Sequence, residues 1–307
     1  GPDAIRAALQ EGRTTQLLPS RTTIYRVLAR HGALDGVHRQ RRPAPPKGWY
    51  LPDLAAGQAE LDSFDFIEDL KIAGGPLVDV LTATSLHGAL AEAWVMERSS
   101  ARAALQALLE HWRREGLPTY AQFDNDTIFQ GTHRFADTVG RISRLCLALG
   151  VVPVFAPPRE PGLQNAIEGF NALWQSKVWQ RHRCPDVATL EAVSARYIAA
   201  YRAKTAIRRE STPKRRSFPK GFKLNLSAPL NGTMIFVRRS DDNGSVKLLG
   251  RTFPVDRHWL HRLVRCQVDF THQRIRFYAL RRRDPARQPL LREIAYSRPK
   301  KAFQGQP

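Results

Sequence analysis

The sequence predicts an α/β chain of several domains: a mixed-sheet core, a helical segment before it and a small β-barrel after it. Three observations carry this prediction. Residues 58–205 alternate between strand-like apolar runs and amphipathic helices. Residues 20–32 read as one capped basic helix. From residue 231 onward, short strands alternate with turns. A length of 307 residues suits two or three domains. Hydrophobic residues make up 42% and no apolar run reaches the length of a membrane span, so the expectation is a globular chain without a membrane partner. Three cysteines, an odd number without CxxC spacing, argue against a disulfide framework or zinc knuckle and fit a reducing cytoplasm. Gly1-Pro2 matches the remnant of a protease tag site, so further sequence is expected upstream.

The formal net charge is +20 and unevenly spread. Residues 1–50 carry nine Lys and Arg against three Asp and Glu, a net +6. Residues 51–201 carry 13 against 18, a net −5, and residues 202–307 carry 26 against 7, a net +19. Basic flanks of this size are the footprint of a polyanion, most often nucleic acid. An acidic segment between them would repel phosphates unless its carboxylates hold divalent cations.

In chain order, "DAIRAALQ" at 3–10 reads as a short helix. In "LPSRTTIYRVLARHG" Ser20 is the expected N-cap, Ile24, Val27 and Leu28 the buried stripe, and Gly32 the stop. Arg21, Thr22, Thr23, Arg26 and Arg30 on its exposed side suit a recognition helix, which makes 3–37 a helix-turn-helix-like DNA-binding segment. An ordinary basic amphipathic helix is the equal alternative. Residues 38–57 form a basic, Pro-rich linker in which Arg39, Arg41 and Arg42 can track a DNA backbone. The core follows with strands "AELDSFDFIED", "LVDVLTAT" and "GALAEAWVM", helix "SARAALQALLEHWRR", strand "TYAQFDND", helix "THRFADTVGRISRLCLALG", strand "VVPVFAPP", and helices containing "NAIEGFNALWQ" and "VATLEAVSARYIAAYRAK". A basic linker at 206–230 leads to strands "TMIFVRR", "SVKLLG", "LVRCQVDF" and "RIRFYAL", the expected barrel at 231–298, and a tail at 299–307.

Two carboxylates in the core are hard to explain as surface groups. Asp65 lies mid-strand between Phe64 and Phe66, where a charge is costly unless paired or metal-bound. Asp124 ends a strand and is followed by Asn125 and Asp126. Glu168 lies on a helix whose buried stripe is Leu163, Ile167, Phe170, Leu173 and Trp174; its polar side, with Gln164, Asn165, Asn171 and Gln175, holds no cation. Taken alone, Glu168 reads as a solvated residue.

The order strand-Asp, strand-Asp-Asn, helix-Glu, carried by "FDF", "FDNDTIF" and "QNAIEGFNALW", resembles the catalytic core of the DDE transposases and retroviral-type integrases, a ribonuclease-H-like fold. The resemblance covers residues 58–205. It implies Asp65, Asp124 and Glu168 as catalytic residues and metal ligands, with Asp65 bridging two Mg²⁺ ions for which Mn²⁺ substitutes. Asp126 stands where family members usually have Gly, and on the face shared with residues 122 and 124 it could compete as a ligand. The 43 residues between Asp124 and Glu168 exceed the retroviral spacing, and the N-terminal His/Cys zinc module of retroviral integrases is absent. Asn165, one turn before Glu168, could orient it or touch DNA. Phosphodiester chemistry fits such a set, since two divalent cations about 3.5–4 Å apart activate the attacking oxygen and stabilise the leaving one.

Arg159, Arg215, Arg216, Arg238 and Arg239 are further candidates for DNA contact, and a run of arginines from Arg251 to Arg283 would make the barrel surface basic. The triplet of His182, Arg183 and Cys184 has no partner pair at ligand spacing. Three functions compete: a transposase that cleaves element ends and joins their 3′-hydroxyls to target DNA, a nuclease of the same fold, and a DNA-binding regulator with a vestigial core. The first implies double-stranded DNA as partner, at least a dimer in the synaptic complex, and a bacterial cytoplasmic protein associated with the nucleoid when bound to DNA; it leaves open whether a partner ATPase selects the target.

Overall fold

The computed structural model describes residues 2, 5, 6, 9, 18–34, 44–73, 75–132, 135–158, 160 and 162–299. The chain divides into two compact units, residues 1–44 and 45–307. Of the short helix expected over 3–10, residues 5, 6 and 9 are described, and all three are helical. Helix α1 spans Arg21–Arg30. The Ser20 hydroxyl accepts from the Thr23 amide at 3.1 Å, and Gly32 takes a positive φ of 62° just past the end, as expected of cap and stop. The buried stripe is narrower than expected. Ile24 is buried, but Val27 is 44% exposed, so the apolar contact of α1 is centred on one residue. Thr22, Arg26 and Arg30 are exposed. Arg39, Arg41 and Arg42 lie outside the described residues.

The second unit is built on a nine-stranded sheet. Its strands are β1 (Leu61–Lys71), β2 (Leu77–Ser85), β3 (Ala91–Met96), β4 (Tyr120–Phe123), β5 (Val152–Phe155), β6 (Thr233–Arg239), β9 (Leu263–Asp269), β10 (Arg274–Ala279) and β11 (Leu290–Ala295). The spatial order is β11-β10-β9-β6-β5-β4-β1-β2-β3. β1, β2 and β3 form an antiparallel meander, and β4, β5 and β6 run parallel to β1. Helices cover both faces, so the inner strands are apolar on both sides. Helix α2 (Pro52–Ala55) precedes the sheet; α3 (Ala101–Glu115), the single turn α4 (Thr127–Gln130) and α5 (Arg141–Ala148) lie on one face. Helix α6 (Asn165–Trp174), a π-helical turn (Gln175–Trp179) and α7 (Val187–Lys204) lie on the other, with α8 (Ala206–Glu210) after them. This mixed sheet is compatible with a ribonuclease-H-like core.

Helix α3 shows how local sequence sets position. Ser100 caps it, and Ala104, Ala107, Leu108, His111 and Trp112 bury one stripe against Phe64 and Phe123. It ends at Gly116, whose φ of 80° suits glycine and where a Cβ would meet the Arg216 carbonyl oxygen at 2.9 Å.

The expected independent barrel at 231–298 is not what the chain builds. β6 pairs with β5 through Val154↔Ile235 and Phe155↔Phe236, and β9, β10 and β11 continue the same open sheet. Met234, Ile235, Phe236 and Val237 are all buried, a continuous apolar run that suits a strand covered on both faces. Among the described residues, β7 (Ser245–Leu248) and β8 (Arg251–Pro254) form a separate two-stranded hairpin. The expected linkers are also partly core. Trp49, Tyr50, Leu51 and Leu54 are buried with Leu61 and Val154, so the extended linker does not run to residue 57. At 206–230 the Arg216 amide and carbonyl pair with Leu117. Among the described residues of 132–150, the expected helix is limited to α5; buried Asp137 ahead of it takes a φ of 60° and is held by Arg251 and Tyr296. Among the described residues no helix is long and apolar enough to cross a membrane.

Candidate active site

β1 pairs with β4 in parallel through Leu61↔Tyr120, Asp62↔Ala121 and Ser63↔Gln122. The stacked rings of Phe64 and Phe123, 5.6 Å apart, continue that register. One step further, Asp65 and Asp124 stand side by side, and side chains level with each other in parallel strands share a face. That face is the one covered by α6, which carries Glu168 and, three residues on, Asn171.

Asn171 ties the helix to the strand. Its Nδ2 donates to Asp65 Oδ2 at 2.8 Å, and its Oδ1 accepts from Thr82 Oγ1 at 2.6 Å. Thr82 is the residue opposite Asp65 on β2, and its hydroxyl also reaches the Asp65 carbonyl oxygen at 3.0 Å. Asn171 is buried and oriented, so it fixes one oxygen of Asp65. Its place on the polar side of the helix, one turn after Glu168, was the sequence signal for it.

The three acids differ in how they are held. Asp65 is half-buried; burial, then the negative charges of Asp124 and Glu168, push its carboxyl to about 7 against the hydrogen bonds from Phe66 and Asn171. Burial likewise raises Asp124, with the charge of Asp126 adding to it, although Asp124 Oδ1 accepts from the Asp126 amide at 3.0 Å. Glu168 is exposed, and among the described residues no hydrogen bond or ion pair holds its carboxylate. No Lys or Arg among the described residues pairs with any of the three.

Asp126 has a different task from the ligand role open to it in the sequence. β4 ends at Phe123, and Asp126 is the N-cap of α4, accepting from the Ile128 amide at 2.6 Å. Asn125 is likewise structural: it donates to the Ala156 carbonyl and accepts from Arg238 Nη2 at 2.7 Å. Arg238 is thereby corrected from a surface DNA contact to a buried brace behind the Asp124 turn, its guanidinium 5.0 Å from the Phe236 ring centre. Burial lowers its pKa to about 10. Arg215 is also corrected: it forms a bidentate pair with Asp62 at 2.8 and 2.5 Å. Arg216 is exposed, although Nη2 donates to the carbonyls of Leu149 and Gly150. Arg239 is exposed and paired with Glu160. Asn165 is exposed at the start of α6, and Arg159 lies outside the described residues.

The donor set of Asp65, Asp124 and Glu168 consists only of hard carboxylate oxygens whose mutual repulsion is not offset by a protein cation, which fits hard divalent cations. Among the described residues, no group of three or more His, Cys, Asp or Glu side chains lies close enough together to hold a metal ion in this conformation.

No protein-family model and no curated protein matches this chain. Solved structures similar to it include viral integrases. The catalytic core domain of BIV integrase is 20% identical, with a TM-score of 0.34, and the match covers 43% of this chain and 79% of that one. The HTLV-2 integrase catalytic core domain in complex with magnesium is 10% identical, with a TM-score of 0.34 and 43% and 81% covered. A simian T-cell lymphotropic virus intasome in complex with PP2A regulatory subunit B56 gamma is 13% identical, with a TM-score of 0.40 and 87% and 88% covered.

Proposed function

We propose that this chain is a DNA transposase of the DDE type, a polynucleotidyl transferase that cleaves element ends and joins their 3′-hydroxyls to target DNA. What supports the reading is that Asp124, at the end of β4, and Glu168, on α6, are near enough for their charges to act on Asp65 of β1, with no Lys or Arg among the described residues paired to any of the three. In this reading the three carboxylates hold two Mg²⁺ ions, which supply activation of the attacking oxygen and stabilisation of the leaving oxygen when bound. Asn171 donates to one Asp65 oxygen and so fixes the orientation of that carboxylate. In cleavage, water attacks phosphorus and the bond from phosphorus to the 3′ oxygen breaks. In joining, the freed 3′-hydroxyl attacks a target phosphorus and a target 3′ oxygen leaves. In each step the nucleophile loses a proton to solvent and the leaving oxygen gains one.

A partner ATPase and assembly of at least two copies on paired DNA ends belong to the same proposal. The basic flanks favour it over a small nuclease, which needs no recognition of ends. The test is a strand-transfer assay with labelled end DNA and Mg²⁺, comparing the wild type with Glu168→Gln. The substitution keeps the size and the helix, so cleavage and joining should both fall at least a hundredfold while DNA affinity stays within a few-fold. Near-normal joining by Glu168→Gln would return Glu168 to a solvated residue.

A further inference from the structure

A groove runs between the far side of α6 with its π-helical turn and the exposed side of α7. Leu173, Val193 and Ala200 contribute to its floor, and Lys177, Arg181, Arg196, Lys204 and Arg208 line it with no carboxylate among them. These five cations, gathered along one groove, contrast with several basic groups of the core that are paired. Arg114, Arg202 and Arg215 pair with Glu92, Glu115 or Asp62, and in the C-terminal strands Arg251 and Arg276 pair with Asp137 and Glu293. Among the described residues, none of the five groove side chains has an acidic partner or a side-chain hydrogen bond. All five are exposed, and three of them, Lys177, Arg181 and Arg196, lie within the segment 51–201 that is acidic overall.

We infer that this groove is a second binding surface for the phosphate backbone of duplex DNA, separate from the face that carries the three acids. At 100° per residue, Leu173 lies about 140° around α6 from Glu168, so one duplex does not use both faces at the same helix position. Arg196 and Lys204 are eight residues apart on α7, roughly 12 Å along its axis, with Arg208 beyond them and Lys177 and Arg181 on the opposite wall. Such an array meets several phosphates, and long basic side chains can lay their stems along an apolar floor while their charged heads project. The tyrosines do not favour a single strand stacked by its bases. Tyr197 and Tyr201 are half-buried, with ring centres 6.1 Å apart, and Tyr201 also packs edge-on against Phe170 at 5.3 Å. The inference rests on DNA being the substrate, but it does not rest on the catalytic role of the acids.

The test is binding of labelled duplex DNA by the full chain carrying Asp65→Asn, without divalent cations, with and without Lys177→Gln, Arg196→Gln and Lys204→Gln. The three groove positions are exposed, so the melting temperature should be unchanged, which is checked first. Affinity should fall about tenfold or more at moderate salt. The slope of log affinity against log salt should shrink by roughly two to three, since each phosphate neutralised on duplex DNA contributes about 0.9. Unchanged affinity and slope would overturn the inference and leave the groove to an acidic protein partner. A loss confined to single-stranded DNA of the same length would overturn the duplex assignment. Because chemistry is disabled throughout, failure of the transposase reading in strand transfer does not alter this result.

Discussion

Asp62 and Asp65 lie three residues apart on the same strand, and their surroundings are opposite. Asp62 points to the α3 face, where Arg215 grips both its oxygens, Trp112 Nε1 donates at 3.1 Å and His111 Nε2 lies 3.6 Å away. Burial alone would raise its pKa, but Arg215 and His111 hold it well below the usual carboxylate range. Asp65 points to the α6 face, where the Asn171 side chain and the Phe66 amide donate to its carboxyl but two further acids stand nearby; burial and those acids push it up to about 7. One charge is fully satisfied by the protein and the other is not. The difference separates a carboxylate that holds the fold together from one that the proposed function reserves for an external cation, which residue type and strand position do not distinguish.

Breaking the satisfied side should have the largest effect on stability. Arg215→Ala leaves Asp62 buried without its cation and should cost about 3–5 kcal/mol in urea unfolding, since removing one partner strands the other. The pH sign follows from the lowered pKa: the contribution of Asp62 is present in full above the unfolded value near 4 and is lost as pH falls below it. A loss under about 1 kcal/mol would mean that Arg215 is free to serve DNA after all.

A smaller effect is expected on the unsatisfied side. Asn171→Ala removes the one side-chain hydrogen bond to Asp65 and leaves Thr82 without that acceptor. Strand transfer should fall roughly 10–100-fold, as for other groups that orient metal ligands, with stability changing by about 1 kcal/mol. Equal activity with and without Asn171 would show that Asp65 needs no orientation from α6.

The comparison also explains what was legible in the sequence. Asp65 stood out because a charge sat between two phenylalanines in a strand, a local signal. Glu168 and Asn171 shared the polar side of one helix, again local, although only the resemblance made Glu168 a candidate. The role of Asp62 depends on Arg215, 153 positions away, and no pattern near either residue reveals the pair. The same limit hid the brace of Arg238 on Asn125, so both arginines read as DNA contacts. The C-terminal strands were readable one by one, but whether they close on themselves or join β5 is set by the pairing of β6 with a strand some eighty residues earlier. Charge counted along the chain marked the C-terminal region as the main phosphate surface. Once paired arginines are set aside, Lys177, Arg181 and Arg196 of the acidic middle join Lys204 and Arg208 along the groove between α6 and α7.

The claim that Asp65 is kept unsatisfied for a cation is tested most directly by melting wild type and Asp65→Asn across pH, with and without Mg²⁺ or Mn²⁺. A raised folded-state pKa means that stability is unaffected below the unfolded value near 4 and falls as pH rises through about 7. Metal-free Asp65→Asn should therefore melt on the order of a few degrees above the wild type at pH 8, with the gap closing toward pH 4. Adding the cation at pH 8 should raise the wild-type melting temperature and leave that of Asp65→Asn unmoved. A wild type insensitive to the cation, or an Asp65→Asn variant that melts lower at pH 8 and responds to the cation equally, would contradict the account.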